Sequence, residues 1–141
     1  GVIAMFSGVT LNWWAVLVAA FIPMVTGMIW YNPKVFGQMW MKANGLEMDD
    51  LKKDNIGQLY FLQFVAALVM TYVTALFVMF VNPTTAADGF MLGFWLWLGF
   101  LVAGAVGLYV WPPKPLNLFV MDSIYKLINI FLVIWLLISW K

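Results

Sequence analysis

The chain contains no cysteine, no histidine and no arginine, and only 9% of its residues are charged. Without histidine and cysteine it lacks the commonest general base, the reactive thiol and the usual nitrogen and sulfur metal ligands. Without arginine it lacks the planar fork that grips phosphate through two parallel hydrogen bonds. Most nucleophilic, metal-assisted and phosphoryl-transfer mechanisms have no actors here, so the expectation is a protein that is not an enzyme and binds no cofactor. Seven lysines and six acids give a net charge of +1, and most of them fall in one loop. They form no basic face of the kind nucleic acid requires, which excludes nucleic acid as a partner. The absence of cysteine leaves the redox compartment open in both directions.

What is present is apolar. Four runs, Leu11 to Tyr31, Leu59 to Val81, Gly89 to Trp111 and Leu118 to Trp140, are 21, 23, 23 and 23 residues long and take up 90 of the 141 positions. Only the last of them carries charge. A spanning helix needs roughly 20 apolar residues. The sequence therefore reads as an all-α membrane protein, a bundle of four transmembrane helices in one domain over residues 1–141, with the lipid bilayer as its first partner. The segment ahead of Leu11 has no basic n-region, and the apolar run after it is too long for a secretory signal. It is expected to be mature protein, with Gly1 following a removed residue or segment.

Proline punctuates the helices. Asn32-Pro33, Asn82-Pro83 and Pro112-Pro113 end the first three, because proline cannot continue the hydrogen-bonded ladder and biases its predecessor out of the α region. Between helices one and two, Gly45 precedes Leu46, Met48 and Leu51, interleaved with Glu47, Asp49, Asp50, Lys52 and Lys53. That pattern predicts a short amphipathic surface helix within 42–57. Asp49/Lys53 and Asp50/Lys53 would support it by about 0.2–0.5 kcal/mol per pair, and Asp54 or Asn55 is placed to cap helix two.

Lysine counting gives an orientation. Lys34, Lys42, Lys52, Lys53 and Lys114 lie in the two loops that share a side, against Lys141 on the other. The positive-inside rule puts loops 32–58 and 112–117 in the cytoplasm and both termini outside, with the cell inner (plasma) membrane as the expected location. Trp30, Tyr31, Trp40, Trp111 and Trp140 fall near span ends, where aromatic rings anchor at the headgroup level.

Small residues mark the packing faces. Gly99, Ala103 and Gly107, with Gly104 beside them, form a small-xxx-small face on helix three, which predicts that this helix is central or meets another subunit. Helix one offers Ala15, Ala19, Pro23 and Gly27, and Pro23 predicts a kink. A weak internal similarity, GMIWYNPK (27–34) with GLYVWPPK (107–114), is consistent with a two-plus-two duplication.

One constellation on helix four can carry chemistry. Leu127 to Trp140 is only 14 residues, about 21 Å of helix, so the span must recruit residues back to about Met121 to cross a core of roughly 30 Å. Asp122 and Lys126 then sit at or inside the cytoplasmic edge of the hydrocarbon. Their i,i+4 spacing puts carboxylate and ammonium on one face, with Tyr125 and Asn129 alongside, and these four residues make a candidate intramembrane polar site. The favoured reading is an ion pair that neutralises itself while Lys126 snorkels outward. The alternative is a proton or ion relay, with Gln58, Gln63, Thr71 and Thr74 of helix two as interhelical glue or part of the same path.

The run from Asn12 to Ala20 (NWWAVLVAA), Gly27, WYNPKVFGQMW from Trp30 to Trp40, and Gly45-Leu46 resemble the opening signature of a small prokaryotic membrane family catalogued as domain of unknown function number seventeen-sixty-one. GFMLGFWLWLGF from Gly89 to Phe100 is similar to that family's third-helix motif, and 118–140 to its last helix. The resemblance implies four helices and no particular activity. Relatives often carry Tyr-His where this chain has Tyr125-Lys126, so histidine chemistry does not carry over.

Two functions follow from these residues. The first is a non-catalytic bundle that works by packing, as an accessory or structural subunit among other membrane subunits or as a homo-oligomer. The second is a small ion- or proton-coupled transporter with a path past Asp122 and Lys126. Whether those two side chains point inward or toward lipid separates them.

Overall fold

The computed structural model describes residues 3–4, 7–8, 10–47 and 55–140. The helices are α1 (Trp13–Ala20), α2 (Ile22–Trp30), α3 (Gln38–Ala43) entered through a π turn (Pro33–Gly37), and α4 (Ile56–Val81). Then α5 (Ala86–Leu96) runs through a π turn (Trp97–Val102) and a 3-10 turn (Ala103–Ala105) into α6 (Val106–Val110), and α7 (Leu116–Ser139) closes the chain. No strand occurs among the described residues. Four helical stretches are long and apolar enough to cross a membrane: Trp13–Trp30, Ile56–Val81, Ala86–Val110 and Leu116–Ser139. They match the sequence-derived spans to within about one helical turn at each end. The chain is an all-α membrane protein.

The kink expected at Pro23 is a break. α1 stops at Phe21, whose N–H closes on Val18 and Ala19, and α2 restarts with Pro23 in its first turn. The Ala19 carbonyl, which Pro23 cannot satisfy, is thereby served locally. Asn12 caps α1 by accepting from the Ala15 N–H at 3.2 Å, and its Nδ2 donates to the Trp140 carbonyl at 3.1 Å. This ties the first span to the last at one end of the molecule.

α7 is the central element. It packs against α1, α2, α4 and α5, while α1 also packs against α4. The core joins Ala15, Val16 and Ala19 of α1, Ala75 and Val78 of α4, and Ile130, Val133, Ile134 and Leu137 of α7. Within lipid no hydrophobic force draws helices together, so close approach over small residues supplies the dispersion energy. Ala15, Ala19 and Ala20 provide that approach and are almost fully buried.

The central place expected for helix three belongs instead to helix four, and the third span is the least buried of the four. Its inner face is also not the expected one. Gly99, Ala103, Gly104 and Gly107 are exposed, and a Cβ at any of the three glycines would meet nothing within 4 Å. The close approach falls at Gly89 and Gly93. A Cβ on Gly93 would lie 3.0 Å from Phe131 and 3.1 Å from Ile134, and one on Gly89 would lie 2.6 Å from Ile138. The close-packed pair thus lies ten residues before Gly99 and Ala103, because α5 is the part of the span that crosses α7.

The described helix between spans one and two is α3, ending at Asn44 and Gly45. The amphipathic segment through Met48 to Asp54 lies outside the described residues. Asn55 begins α4 without a side-chain capping bond.

Candidate functional site

The first span ends because Asn32 leaves the helical region, with φ −63° and ψ 139°, and its side chain accepts the Lys34 N–H. Pro33 then opens a π turn in which the Asn32 carbonyl accepts from Val35 and Gly37, both at 2.9 Å. The turn folds tightly enough that a Cβ on Gly37 would lie 2.2 Å from the Tyr31 carbonyl oxygen, so only glycine fits. The chain doubles back, Trp40 meets the Tyr31 ring edge-on at 6.0 Å, and the Tyr31 side chain turns into the bundle.

There its hydroxyl donates to Asp122 Oδ1 at 2.6 Å. Tyr109 of α6, braced edge-on against Phe119 at 5.1 Å, donates to Asp122 Oδ2 at 2.5 Å. One half-buried carboxylate on α7 thus joins the ends of the first and third spans, with a charge-assisted hydrogen bond to each. The two tyrosines come from the two segments of weak internal similarity, at different offsets within them. Tyr31 lies one residue beyond the first spanning helix, and its phenol is held well above its ordinary pKa, first by burial and then by the hydrogen bond and charge of Asp122. It therefore remains a donor.

One turn deeper lies an aromatic layer. Tyr125 sits edge-on to Tyr31 at 5.1 Å and tilted against Trp30 at 6.3 Å, and its hydroxyl donates to the Pro23 carbonyl. Gly27 permits this approach, since a Cβ there would lie 2.8 Å from the Tyr125 oxygen. Below it the Thr26 hydroxyl donates back to the Ile22 carbonyl at 2.8 Å and its oxygen meets the side-chain amide of Asn129, a residue only 8% exposed. Trp97 Nε1 donates to the Ser123 carbonyl at 2.7 Å and binds α7 to the third span.

Beneath the aromatic layer is a cavity of about 180 Å³ bounded by α2, α4, the third span and α7. Its polar wall consists of Gln63, Thr71 and Thr74 from α4 and Tyr125, Lys126 and Asn129 from α7. Lys126 lies about 15 Å along α7 from Leu116 and about 20 Å from Ser139 at 1.5 Å per residue, which is near the middle of the helix. A second cavity of about 230 Å³ at the Asn12 end is lined by Asn12, Asn82 and Trp140 among others. There Asn12 is already engaged on both sides of its amide.

The structure thus brings together Asp122, Tyr125, Lys126 and Asn129, joined by Gln63, Thr71 and Thr74, while Gln58 lines no part of the cavity. The expected Asp122–Lys126 ion pair does not form. Both carboxylate oxygens are taken by tyrosine hydroxyls, and among the described residues the Lys126 ammonium has neither an ion pair nor a hydrogen bond. Lys126, half-buried, lies on the cavity wall. Three expected headgroup anchors turn inward: Trp30 packs at 4.5 Å on Phe36 with its indole N–H buried and without an acceptor, and Tyr31 and Trp40 follow it. Trp111 and Trp140 remain exposed. Sequence reading missed Tyr109, Thr26 and Gly37. The Gly-x-Tyr of the second repeat segment was the available signal for the first, and nothing local marked the other two.

A family model described as protein of unknown function (DUF1761) matches residues 14–137. The chain belongs to this family. No curated protein and no solved structure matches it. The DUF1761 match covers all four spans, including every residue of the tyrosine–carboxylate bridge and the cavity wall. Among the described residues no three acidic groups come together to hold a metal ion, so the donors at this site are hydroxyls, amides, one ammonium and one carboxylate.

Proposed function

We propose that this member of the DUF1761 family is a non-catalytic membrane protein that admits a small solute into its bundle, as a small transporter does, and does not act by packing alone. One observation carries the proposal: midway along α7, Lys126 lines a cavity and forms no ion pair among the described residues. A lysine at the centre of a spanning helix costs about 2.5–3.5 kcal/mol on insertion scales, and a helix that only packs gains nothing in return. Ionisable groups inside spans that face a cavity mark substrate or ion pathways. The Asp122 bridge supports the same reading from the other side, since it fixes three spans around the mouth of the cavity and leaves Lys126 unneutralised.

A second observation supports self-association. The face of Gly99, Ala103, Gly104 and Gly107 is uncovered within the chain, and four helices alone enclose little space, so a transporter of this size would work as a homo-oligomer or with other membrane subunits.

The absence of cysteine makes the test direct. In proteoliposomes, Ala67→Cys and Thr71→Cys should react with a small charged methanethiosulfonate reagent from one side, and the lipid-facing Val69→Cys should not. Lys42→Cys should react from the cytoplasmic side if the lysine count is right. Inert cysteines at both cavity positions would overturn the solute-admitting reading in favour of a packing subunit.

A further inference from the structure

We infer that the cavity beneath Tyr125 binds a monocarboxylate with a hydrocarbon tail, its carboxylate paired with Lys126; this rests on the solute-admitting reading above. The first reason is charge. Among the described residues Lys126 is the one charged side chain on the wall, and Asp122, one turn away on α7, has both oxygens engaged by Tyr31 and Tyr109. An ammonium in low dielectric is stable when a single negative charge meets it, whereas a dianion would bring a second, uncompensated charge. With no arginine in the chain, nothing there offers the bidentate fork that phosphate recognition uses.

The second reason is the donor set around that charge. Thr26 takes at most one polar group of the Asn129 side-chain amide, which leaves at least one amide N–H for a ligand at a residue on the cavity wall. Gln63 and Thr71 face it from α4. Tyr125 is spent on the Pro23 carbonyl. A carboxylate has about four lone-pair sites to fill, and an ammonium with two amides and a hydroxyl can fill them.

The third reason is the rest of the wall. Ala66, Ala67, Met70, Leu101, Ile130 and Val133 are apolar, which suits a hydrocarbon tail and not a bare halide. The cavity, about 180 Å³ and open on one side, admits a short-chain acid such as butanoate. The headgroup and first carbons of a membrane-dissolved fatty acid would fill the same space, with the remaining chain in lipid. Both sources share one chemistry.

The test uses the full chain in proteoliposomes and follows modification of Thr71→Cys by the methanethiosulfonate reagent. Butanoate should slow the reaction about tenfold at roughly ten times its Kd, and butan-1-ol, butylamine and chloride should not. Lys126→Gln in the same background should abolish the protection, and Lys42→Gln should retain it. Oleate in the bilayer is the second arm. Protection by oleate alone assigns the site to a lipid-borne acid, and protection by butanoate alone assigns it to a water-soluble one. A cysteine that reacts but is protected by neither, or equally well by chloride or inorganic phosphate, overturns the carboxylate assignment and leaves solute admission standing. A cysteine that never reacts overturns both. Should Lys126→Gln fail to fold, the comparison of carboxylate with alcohol and amine still decides.

Discussion

Tyr31 and Asp122 stand 91 positions apart in sequence and 2.6 Å apart in space, and Tyr109 closes on the other oxygen of the same carboxylate. A carboxylate at this depth would ordinarily be compensated by a cation. Here two neutral hydroxyls bond it, one to each oxygen, and the cation one turn away forms no ion pair with it. The bridge is also a mechanical tie, because Tyr31 and Tyr109 come from spans that pack more closely on α7 than on each other.

Removing either hydroxyl should therefore loosen the bundle. Tyr31→Phe and Tyr109→Phe should each cost about 1.5–3 kcal/mol, the range for hydrogen bonds to a charged group, in unfolding from mild to denaturing detergent. In an Asp122→Ala background the loss from Tyr31→Phe should shrink to a few tenths. An undiminished loss would mean that the tyrosine acts through packing on Trp40 and Tyr125.

An ion pair and its absence make opposite predictions for Asp122 and Lys126. If they were paired, Asp122→Asn would be rescued by Lys126→Gln, because breaking a buried pair costs more than replacing both partners. With the carboxylate held by tyrosines, the two changes should add to within about 0.5 kcal/mol. A double-mutant cycle in the same unfolding assay measures this. Substantial rescue would restore the pair and remove the main support for an unneutralised lysine.

Much of this was legible in the sequence. The four spans and the break at Pro23 follow from hydrophobic length and proline stereochemistry, which are local. The polar residues of helix four could be singled out because no other side chain in the four sequence-derived apolar runs is charged. Their partners could not. Whether Asp122 turns to Lys126 or to Tyr31 depends on how Asn32 to Gly37 folds back, and that is set by tertiary packing. That the Gly99 to Gly107 face is not the one packed within the chain has a related reason: a small-residue pattern says that a backbone can be approached, and the crossing point of α5 on α7 decides where it is.

Gly37 tests the fold-back directly. A Cβ at this position collides with backbone at 2.2 Å, which no rotamer can relieve. Gly37→Ala should displace the π turn and with it Tyr31, costing more than the roughly 1 kcal/mol that a helix gains from replacing glycine by alanine. The expected readout is lowered stability together with loss of the Tyr31–Asp122 coupling described above. A Gly37→Ala protein as stable as the parent, with the coupling intact, would show that the turn does not set the tyrosine's position.

The two glycine faces of the third span separate internal packing from association. Gly93 lies against Phe131 and Ile134, so Gly93→Leu should force α5 from α7 and destabilise the single chain by about 1–3 kcal/mol, as overpacking does. At Gly104 and Gly107 a new side chain meets nothing within the chain. Gly104→Leu and Gly107→Leu should leave single-chain unfolding within about 0.5 kcal/mol, as for surface changes away from special features. If that face is the seam between copies or with another subunit, the same two variants should lose self-association, measured by energy transfer between labelled chains in bilayers at fixed protein-to-lipid ratio. Gly93→Leu is the control for general disruption, since it should lower stability whether or not the chain associates. Association unchanged in Gly104→Leu and Gly107→Leu would leave these small residues facing lipid and withdraw the face as a seam.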